Sequence, residues 1–258
     1  MKAAYVAGLG LWTPGYANVA AWIRGEADSE QAAPSAALLA GPMRRRASGI
    51  TRAAIEALEQ ATAQARADLA RIPSIWATAH GEHENAVAIL DMMHRGEGKL
   101  SPTRFHNSVY NTASGYASIA TANRTGSTSL AGGRDLVAMA LLEALCLLEQ
   151  GANQVAVVLF DEPLLPPFDP RGALAPLALA LCLSSQPAGD RARLSKLRRD
   201  SVAPVKRHER FGDLYVSAAL PLLERIAAGR PGSVPLELQG QDSGLAWCVD
   251  LELADAEG

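Results

Sequence analysis

Histidine and acidic side chains crowd one segment of the chain. His80, Glu82, His83 and Glu84 lie close together, and His94 follows a short distance later. Two imidazoles and a carboxylate can hold a zinc ion. The spacing matches no known zinc motif, however, and polar residues at strand ends also serve for capping and solubility. We therefore expect no bound metal.

The three cysteines are Cys146, Cys182 and Cys248. Their odd number and wide spacing fit neither a disulfide framework nor a zinc cluster. Each lies among apolar neighbours, and burial in apolar surroundings suppresses the reactive thiolate. We expect all three to be buried, reduced and unreactive.

Two other catalytic patterns are incomplete. A Ser/His/Asp hydrolase would carry G-x-S-x-G between a strand and a helix, and no such motif occurs. Gly8 and Gly10 could begin a dinucleotide-binding loop, but Thr13 stands where the third glycine belongs. The sequence thus predicts no cofactor.

Positive charge is concentrated in one stretch, although the net charge of −3 gives no general attraction to nucleic acid. The basic residues of this stretch are Arg191, Arg193, Lys196, Arg198, Arg199, Lys206, Arg207 and Arg210. Charge runs are usually solvated, which favours a mobile linker. The functional interpretation is a docking patch for an acidic partner.

Apolar periodicity predicts alternating strands and helices that position these residues. Strands are predicted at 3–9, 74–79, 127–131, 154–160, 174–184, 234–238 and 245–253, the last two as a hairpin around 240–244. Helices are predicted at 17–24, 50–69, 85–94, 108–121, 135–150 and 213–228. The strand–helix–strand unit over 127–160 predicts parallel strands. Its helix is apolar almost all round, so we expect it between two sheets.

The composition fits a water-soluble α/β protein. Hydrophobic residues make up 48% of the 258-residue chain and aromatic residues only 5%, which is typical of helices packed on a sheet. The most apolar run, Leu136 to Leu148, is interrupted by Glu143 and is shorter than the roughly 20 residues of a membrane-spanning helix. No secretory signal opens the sequence. We expect a cytoplasmic protein.

One segment resembles a known family. Residues 100–120 read L-S-P-T-R-F-H-N-S-V-Y-N-T-A-S-G-Y-A-S-I-A. They resemble the stretch before the nucleophile of β-ketoacyl synthases, with Ser101, Pro102, Asn111 and Gly115 at the family's spacing. Residues 126–130, G-S-T-S-L, are similar to the family's strand leading to the catalytic cysteine, and the strand after Gly151 resembles the next one.

A weaker resemblance extends from Ala3 to Ser184. It is greatest to the short ketosynthase-like, chain-length-factor-like subunits that accompany full ketosynthases in aryl polyene and related pigment pathways. The resemblance implies a thiolase-like α/β fold, with a mixed sheet and helices on both faces. It implies a ketosynthase-like N-terminal half-domain over residues 1–190. We expect residues 191–258 to form a basic linker, a helix and a β-hairpin packed on it as a small α+β extension.

Two departures from the family bear on function. The position of the family's nucleophile falls on or next to Arg134, in Gly132-Gly133-Arg134-Asp135, and arginine cannot form an acyl thioester. The family's two catalytic histidines belong to a C-terminal half that this chain lacks. Two roles stay open for Arg134: an internal ion pair beside an Asp135 helix cap, or a plug that fills the vacant substrate pocket and braces a dimer.

The resemblance therefore implies a non-catalytic subunit that pairs with a catalytic β-ketoacyl-ACP synthase and shapes the tunnel for a polyene or fatty-acid-like chain on acyl carrier protein. A homodimer is expected when that partner is absent. The competing hypothesis is a stand-alone acyltransferase or decarboxylase that uses the ketosynthase scaffold without cysteine.

The resemblance also implies three groups of site residues. The dimer interface is expected at Ser108, Asn111, Gly115, Ala117 and Ser129. The gate of the acyl tunnel is expected at Thr103, Arg104 and Phe105, with Arg104 turned toward a carboxylate, although all three residues could also belong to an ordinary surface loop. Carrier-protein docking is expected at Arg198, Arg199, Lys206 and Arg207.

Overall fold

The computed structural model describes residues 3–96, 98–165, 168, 174–187, 192–240 and 244–253. Within these residues one mixed sheet runs through the molecule in the order β3-β2-β4-β5-β1-β6-β8-β7. The strands are β1 Ala4–Trp12, β2 Ser74–Thr78, β3 Ser127–Ala131, β4 Gln154–Asp161, β5 Leu177–Ser184, β6 Ala192–Asp200, β7 Gly232–Pro235 and β8 Ala246–Leu253. Strand β2 pairs in parallel with β3 and β4, and the other pairs are antiparallel.

Helices cover both faces of this sheet, as predicted. They are α1 Val19–Arg24, α2 Gly41–Arg46, α3 Gly49–Ala65, α4 His83–Arg95, α5 Pro102–His106, α6 Thr112–Thr121, α7 Leu136–Glu149 and α8 Leu220–Ala227, with a 3-10 turn at Tyr215–Ala219. One face packs against α3 and α6, and the other against α7 and α8. The central strands β4 and β5 are therefore buried on both sides and read as continuous apolar runs.

Helix α3 lies directly on strand β1. A Cβ atom added to Gly8 would stand 1.9 Å from the Ala61 carbonyl oxygen, and one added to Gly10 would stand 2.0 Å from that of Ala57. The side chain of Gln64 accepts a hydrogen bond from the Leu9 N–H at 3.1 Å. The two glycines thus serve the close packing of a helix on a strand.

Three sequence predictions about elements are wrong. The basic stretch is strand β6, with Ala192 and Leu194 buried, and it pairs with β1 and β8 instead of forming a linker. The helix predicted at 108–121 starts only at Thr112, and the one predicted at 213–228 begins as a 3-10 turn. Part of the loop predicted at 240–244 lies outside the described residues.

Helix α7 has a different environment from the one expected. Seven of its residues are buried against the sheet, among them Leu136, Leu141 and Leu145. Its other side carries half-buried Met139 and Leu142. The described residues form a single sheet, so this chain alone does not enclose α7 between two sheets as predicted.

Candidate functional site

Arg134 lies just before the buried helix α7, whose N-cap residue is Asp135. Its guanidinium is 3.8 Å from a carboxylate oxygen of Glu237, a side chain that is only 5% exposed. The guanidinium also lies against the backbone of Gly240, where an added Cβ would stand 2.6 Å from the Arg134 Cζ atom. Asp135 makes no side-chain capping hydrogen bond. The geometry thus contains the internal ion pair and lacks the predicted side-chain cap.

An open cavity of about 980 Å3 surrounds this ion pair. Arg134, Asp135 and Glu237 line it on one side, and Arg199 and Trp247 line it on the other. Arg134 is therefore part of the wall of this cavity and does not fill it. The described residues that line this cavity include no cysteine that could act as a nucleophile.

The three predicted gate residues lie on the short helix α5. The Ser101 hydroxyl caps this helix by accepting a hydrogen bond from the Arg104 N–H, and Pro102 occupies the first turn. Thr103 and Arg104 are exposed, and Phe105 is 62% exposed. No described carboxylate lies within ion-pair distance of Arg104, so the predicted turn toward an acid is not seen.

The predicted interface residues fall into two groups. Asn111 is exposed, and Ser108, Gly115 and Ser129 are partly exposed. Ala117 is 5% exposed and packs in the protein's own core. Ala117 therefore contributes to folding, whereas the other four residues are accessible to a second chain.

Large apolar side chains are exposed on the segments that carry Ser108, Asn111 and Gly115 and on α4, which packs against α5, and the sequence analysis missed most of them. They lie on α4, α5, α6 and the segment before α6, and we name them the apolar flank: Leu90, Met93, Phe105, Val109, Tyr110 and Ile119. Ile119 is 70% exposed. Among the described residues, strand β3 is an edge of the sheet and pairs with β2. Large exposed apolar side chains and an open strand edge are each typical of an interaction surface.

Two of the four predicted docking residues are neutralised by neighbouring acids. Arg198 forms ion pairs with Asp200 at 3.0 Å and Asp250 at 2.8 Å, and Arg207 pairs with Asp213. Arg199 donates to the Leu245 carbonyl oxygen at 2.6 Å. Lys206 is exposed and has no ion pair with a described acid.

A second basic group escaped the sequence analysis. Arg44, Arg45 and Arg46 follow one another at the end of α2, and all three are exposed. The side chain of Arg44 donates a hydrogen bond to the Ser35 carbonyl oxygen at 3.3 Å. The run of three consecutive arginines was the available signal.

Buried acids cluster where β2 and β4 end. Asp161 accepts hydrogen bonds from the Thr78 hydroxyl and from two backbone N–H groups, yet complete burial raises its pKa to about 6. Burial and neighbouring carboxylates raise the pKa of Glu162 to about 7. Burial also raises the pKa of Glu82 and lowers that of His83. The cluster therefore holds carboxyl groups that titrate near neutral pH.

The remaining features that the sequence analysis considered are the cysteines, a metal site and a membrane-spanning helix. Cys182 and Cys248 are buried, whereas Cys146 is half-buried, contrary to the prediction. Among the described residues no group of three or more His, Cys, Asp and Glu side chains is arranged to hold a metal ion. Within the same part of the chain, no helix is long and apolar enough to cross a membrane.

Comparison with known proteins places this fold in a family. Residues 19–228 match the model of the family described as Beta-ketoacyl synthase, N-terminal domain. The chain belongs to this family. No curated protein sequence matches the chain. The predicted membership in the β-ketoacyl synthase N-terminal domain family is thus confirmed.

Solved structures of related assemblies share the fold. One is a ketosynthase (ApeO) in complex with its chain length factor (ApeC) from Xenorhabdus doucetiae, at 23% identity and a TM-score of 0.71, covering 97% of this chain and 100% of that one. The ishigamide ketosynthase/chain length factor matches at 17% identity and a TM-score of 0.75, covering 97% and 99%. The chain thus has the predicted thiolase-like ketosynthase fold.

A third structure contains a carrier protein. It is AntDE:AntF, a type II PKS acyl-carrier protein in complex with its ketosynthase bound to the hexaketide. The identity is 12% and the TM-score 0.71, with 98% of this chain and 99% of that chain covered. Chains of this length therefore occur among the ketosynthase-like folds of such complexes.

Proposed function

We propose that this β-ketoacyl synthase family member is a non-catalytic, chain-length-factor-like subunit that pairs with a catalytic β-ketoacyl-ACP synthase. The observation that carries the proposal is Arg134, which forms an ion pair with Glu237 and lies on or next to the position that the resemblance gives to the family's nucleophile. A guanidinium cannot accept an acyl group as a thioester. Cys146, Cys182 and Cys248 all lie elsewhere in the fold.

The partner surface of the proposed complex is the apolar flank together with β3. Ser108, Asn111, Gly115 and Ser129 would lie inside it, because they are accessible and have small or polar side chains. Burial of the flank against a second chain would remove several large apolar side chains from water, which is the main driving force of association. In the absence of the ketosynthase the same surface would support a homodimer.

The proposed role of α5 is to limit the length of the acyl chain made by the partner. Thr103, Arg104 and Phe105 are exposed in the isolated chain and are available to reach across an interface. The substrate would be a growing fatty-acid-like or polyene chain, of the aryl polyene type, carried by acyl carrier protein. The carrier protein is acidic in this proposal, and it would meet exposed cations such as Lys206.

The test uses a catalytic ketosynthase as the partner, together with its acyl carrier protein. Co-expression should give a stable complex that condenses malonyl and acyl carrier-protein thioesters, whereas this chain alone should give no condensation. Intact-mass spectrometry should find no acyl adduct on this chain. Covalent acylation of Cys146, Cys182 or Cys248, or condensation by the isolated chain, would contradict the non-catalytic role.

A matched pair of variants separates the two subunits. Replacement of the ketosynthase's active-site cysteine by alanine should abolish condensation in the complex. Cys146→Ser in this chain, the most exposed of its three thiols, should leave the rate unchanged. The opposite pattern would favour the stand-alone enzyme.

A further inference from the structure

Helix α4 lies on the surface of the protein and has no fully buried residue of its own. Its main packing partner is the short helix α5. Leu90 and Met93 point into solvent. Apolar packing therefore contributes little to holding α4, and the polar contacts of its first turn become decisive.

Two buried carboxylates make those contacts. Glu162, at the end of β4, accepts a hydrogen bond from the Glu84 backbone N–H at 2.8 Å. Glu82, directly before α4, accepts hydrogen bonds from the hydroxyls of Ser48, at 2.7 Å, and Thr51. Glu162 and Glu82 are only 9% and 3% exposed. They fasten the start of α4 to β4 and α3.

Most of the charged groups around Glu162 are acidic. Among the described residues, the titratable and charged groups that face the two carboxylates are Asp161 on β4, His80 before α4, His83 and Glu84 in its first turn, Arg52 on α3 and Tyr116 on α6. Three buried carboxyl groups and the exposed Glu84 thus lie close together, and Arg52 lines the cavity of about 330 Å3 beside them.

Opposing effects act on an ionised Glu162. The N-terminus of α4 and the hydrogen bond from Glu84 favour the anion. Burial and the charges of Glu82, Glu84 and Asp161 disfavour it. The pKa of Glu162 is raised to about 7, which means that burial and repulsion outweigh the hydrogen bond. An ionised Glu162 therefore gains free energy by reaching water.

We propose that the buried carboxyl group of Glu162 is a proton-dependent latch for helix α4. When Glu162 is protonated, the first turn of α4 stays bound to β4 and α3. When Glu162 ionises, a state in which this turn detaches and the carboxylate meets water becomes more populated. If α4 belongs to the partner surface, which rests on the proposed function, binding of the partner would weaken as the pH rises.

Hydrogen exchange of the isolated chain tests the latch without any partner, so its outcome does not depend on the proposed function. Opening of α4 should increase about tenfold between pH 6 and pH 8, after correction for intrinsic exchange, if the detached Glu162 has an ordinary pKa. The amides of the first turn of α4 report this opening. Equal protection at both pH values would overturn the proposal.

Three variants identify the responsible group. Glu162→Gln keeps an acceptor without a charge, so most of the rise in opening of α4 between pH 6 and pH 8 should be lost. Glu84→Gln retains the backbone donor and removes one repelling charge, so the pKa of the buried Glu162 should fall and the rise in opening should become smaller and move to lower pH. Glu59→Gln is the matched control, because Glu59 on α3 is another partly buried acid with a pKa near 7 but accepts its hydrogen bond from the Leu38 N–H.

The control variant should leave the behaviour of α4 unchanged. A wild-type pH response in Glu162→Gln would overturn the latch. Should that variant fail to fold, Glu84→Gln decides, since this exposed side chain tolerates replacement and an unmoved transition is incompatible with the proposal.

Discussion

Arg134 is a charged residue that the fold accommodates beside a nearly buried acid. Its charge lies at the entrance to a buried helix and opposes the buried carboxylate of Glu237. The sequence analysis predicted that the arginine here could not form an acyl thioester. It could not reveal the partner, because Glu237 is about a hundred residues away in the sequence.

The Arg134–Glu237 ion pair should contribute measurably to stability. Arg134→Ala leaves a nearly buried carboxylate without this counter-charge, and we expect the free energy of unfolding to fall by about 1–3 kcal/mol. Arg134→Ala combined with Glu237→Gln should recover part of the loss. Urea unfolding of the four proteins measures the effect, and a double variant as unstable as the sum of the single ones would contradict a direct pairing.

Thr103 and Phe105 should control product length if α5 reaches the partner's acyl tunnel. Thr103→Phe adds bulk and should shorten the products, whereas Phe105→Ala removes bulk and should lengthen them. Both side chains are exposed, so neither change should harm folding. Mass spectrometry of products from the co-expressed complex is the measurement. An unchanged distribution from a correctly assembled complex would show that α5 is an ordinary surface element.

The elements themselves were largely predictable where apolar spacing is regular. Strand β3 was predicted at its observed bounds, and α3 is the long helix expected from its spacing. The segment before α6 was not, because Asn107 is buried there. Its side chain donates to the Arg46 carbonyl oxygen at 2.6 Å and accepts from the Tyr116 hydroxyl at 3.2 Å. These long-range bonds separate α5 from α6.

Strand β6 was mistaken for a linker for a similar reason. Its charges oppose acids on β8, with Arg193 paired to Glu252 at 3.3 Å, and its alternate side chains Ala192 and Leu194 are buried. Cross-strand pairing of opposite charges stabilises a sheet. The local sequence shows the positive charges without their distant partners, so it looked like a solvated run.

Gly115 offers a clean test of the interface on α6. A Cβ atom added there meets nothing within 4 Å, and the residue is partly exposed. Gly115→Leu should therefore fold normally, with a helix propensity improved by about 0.5–1 kcal/mol, but should prevent close approach of a second chain. Gly115→Ala is the matched control and should retain pairing. Sedimentation with the ketosynthase measures it, and normal pairing of Gly115→Leu would place the interface elsewhere.

At the scale of the whole molecule, the distribution of unpaired charge differs from the distribution of charge in the sequence. The densest basic stretch is largely neutralised within the sheet, whereas Arg44, Arg45 and Arg46 remain exposed on α2. Exposed cations without acidic neighbours are the ones that attract an acidic partner over long distances. Whether a basic residue is free to meet a partner therefore depends on its ion pairs in the fold. The number of basic residues in a stretch of sequence does not decide it.

Charge reversal can decide between the two basic groups. Arg44→Glu with Arg45→Glu should weaken binding of an acidic carrier protein about tenfold or more at low salt, because both side chains are exposed and form no ion pair with a described acid. Arg198→Glu should act mainly on stability, since its guanidinium already pairs with Asp200 and Asp250. Calorimetric titration of the complex with carrier protein measures the difference. The reverse order of effects would restore β6 as the docking site.

The two ends of the sheet are not equivalent. Strand β3 ends the sheet on one side with a complete backbone edge, while β7 ends it on the other with four residues that include Pro235. Proline has no N–H to donate, and short edge strands resist further pairing. Among the described strands, β3 is therefore the edge better suited to pair with a further sheet, and pairing there would use up this edge. Such a molecule can form a closed pair but is protected against growth into a fibre.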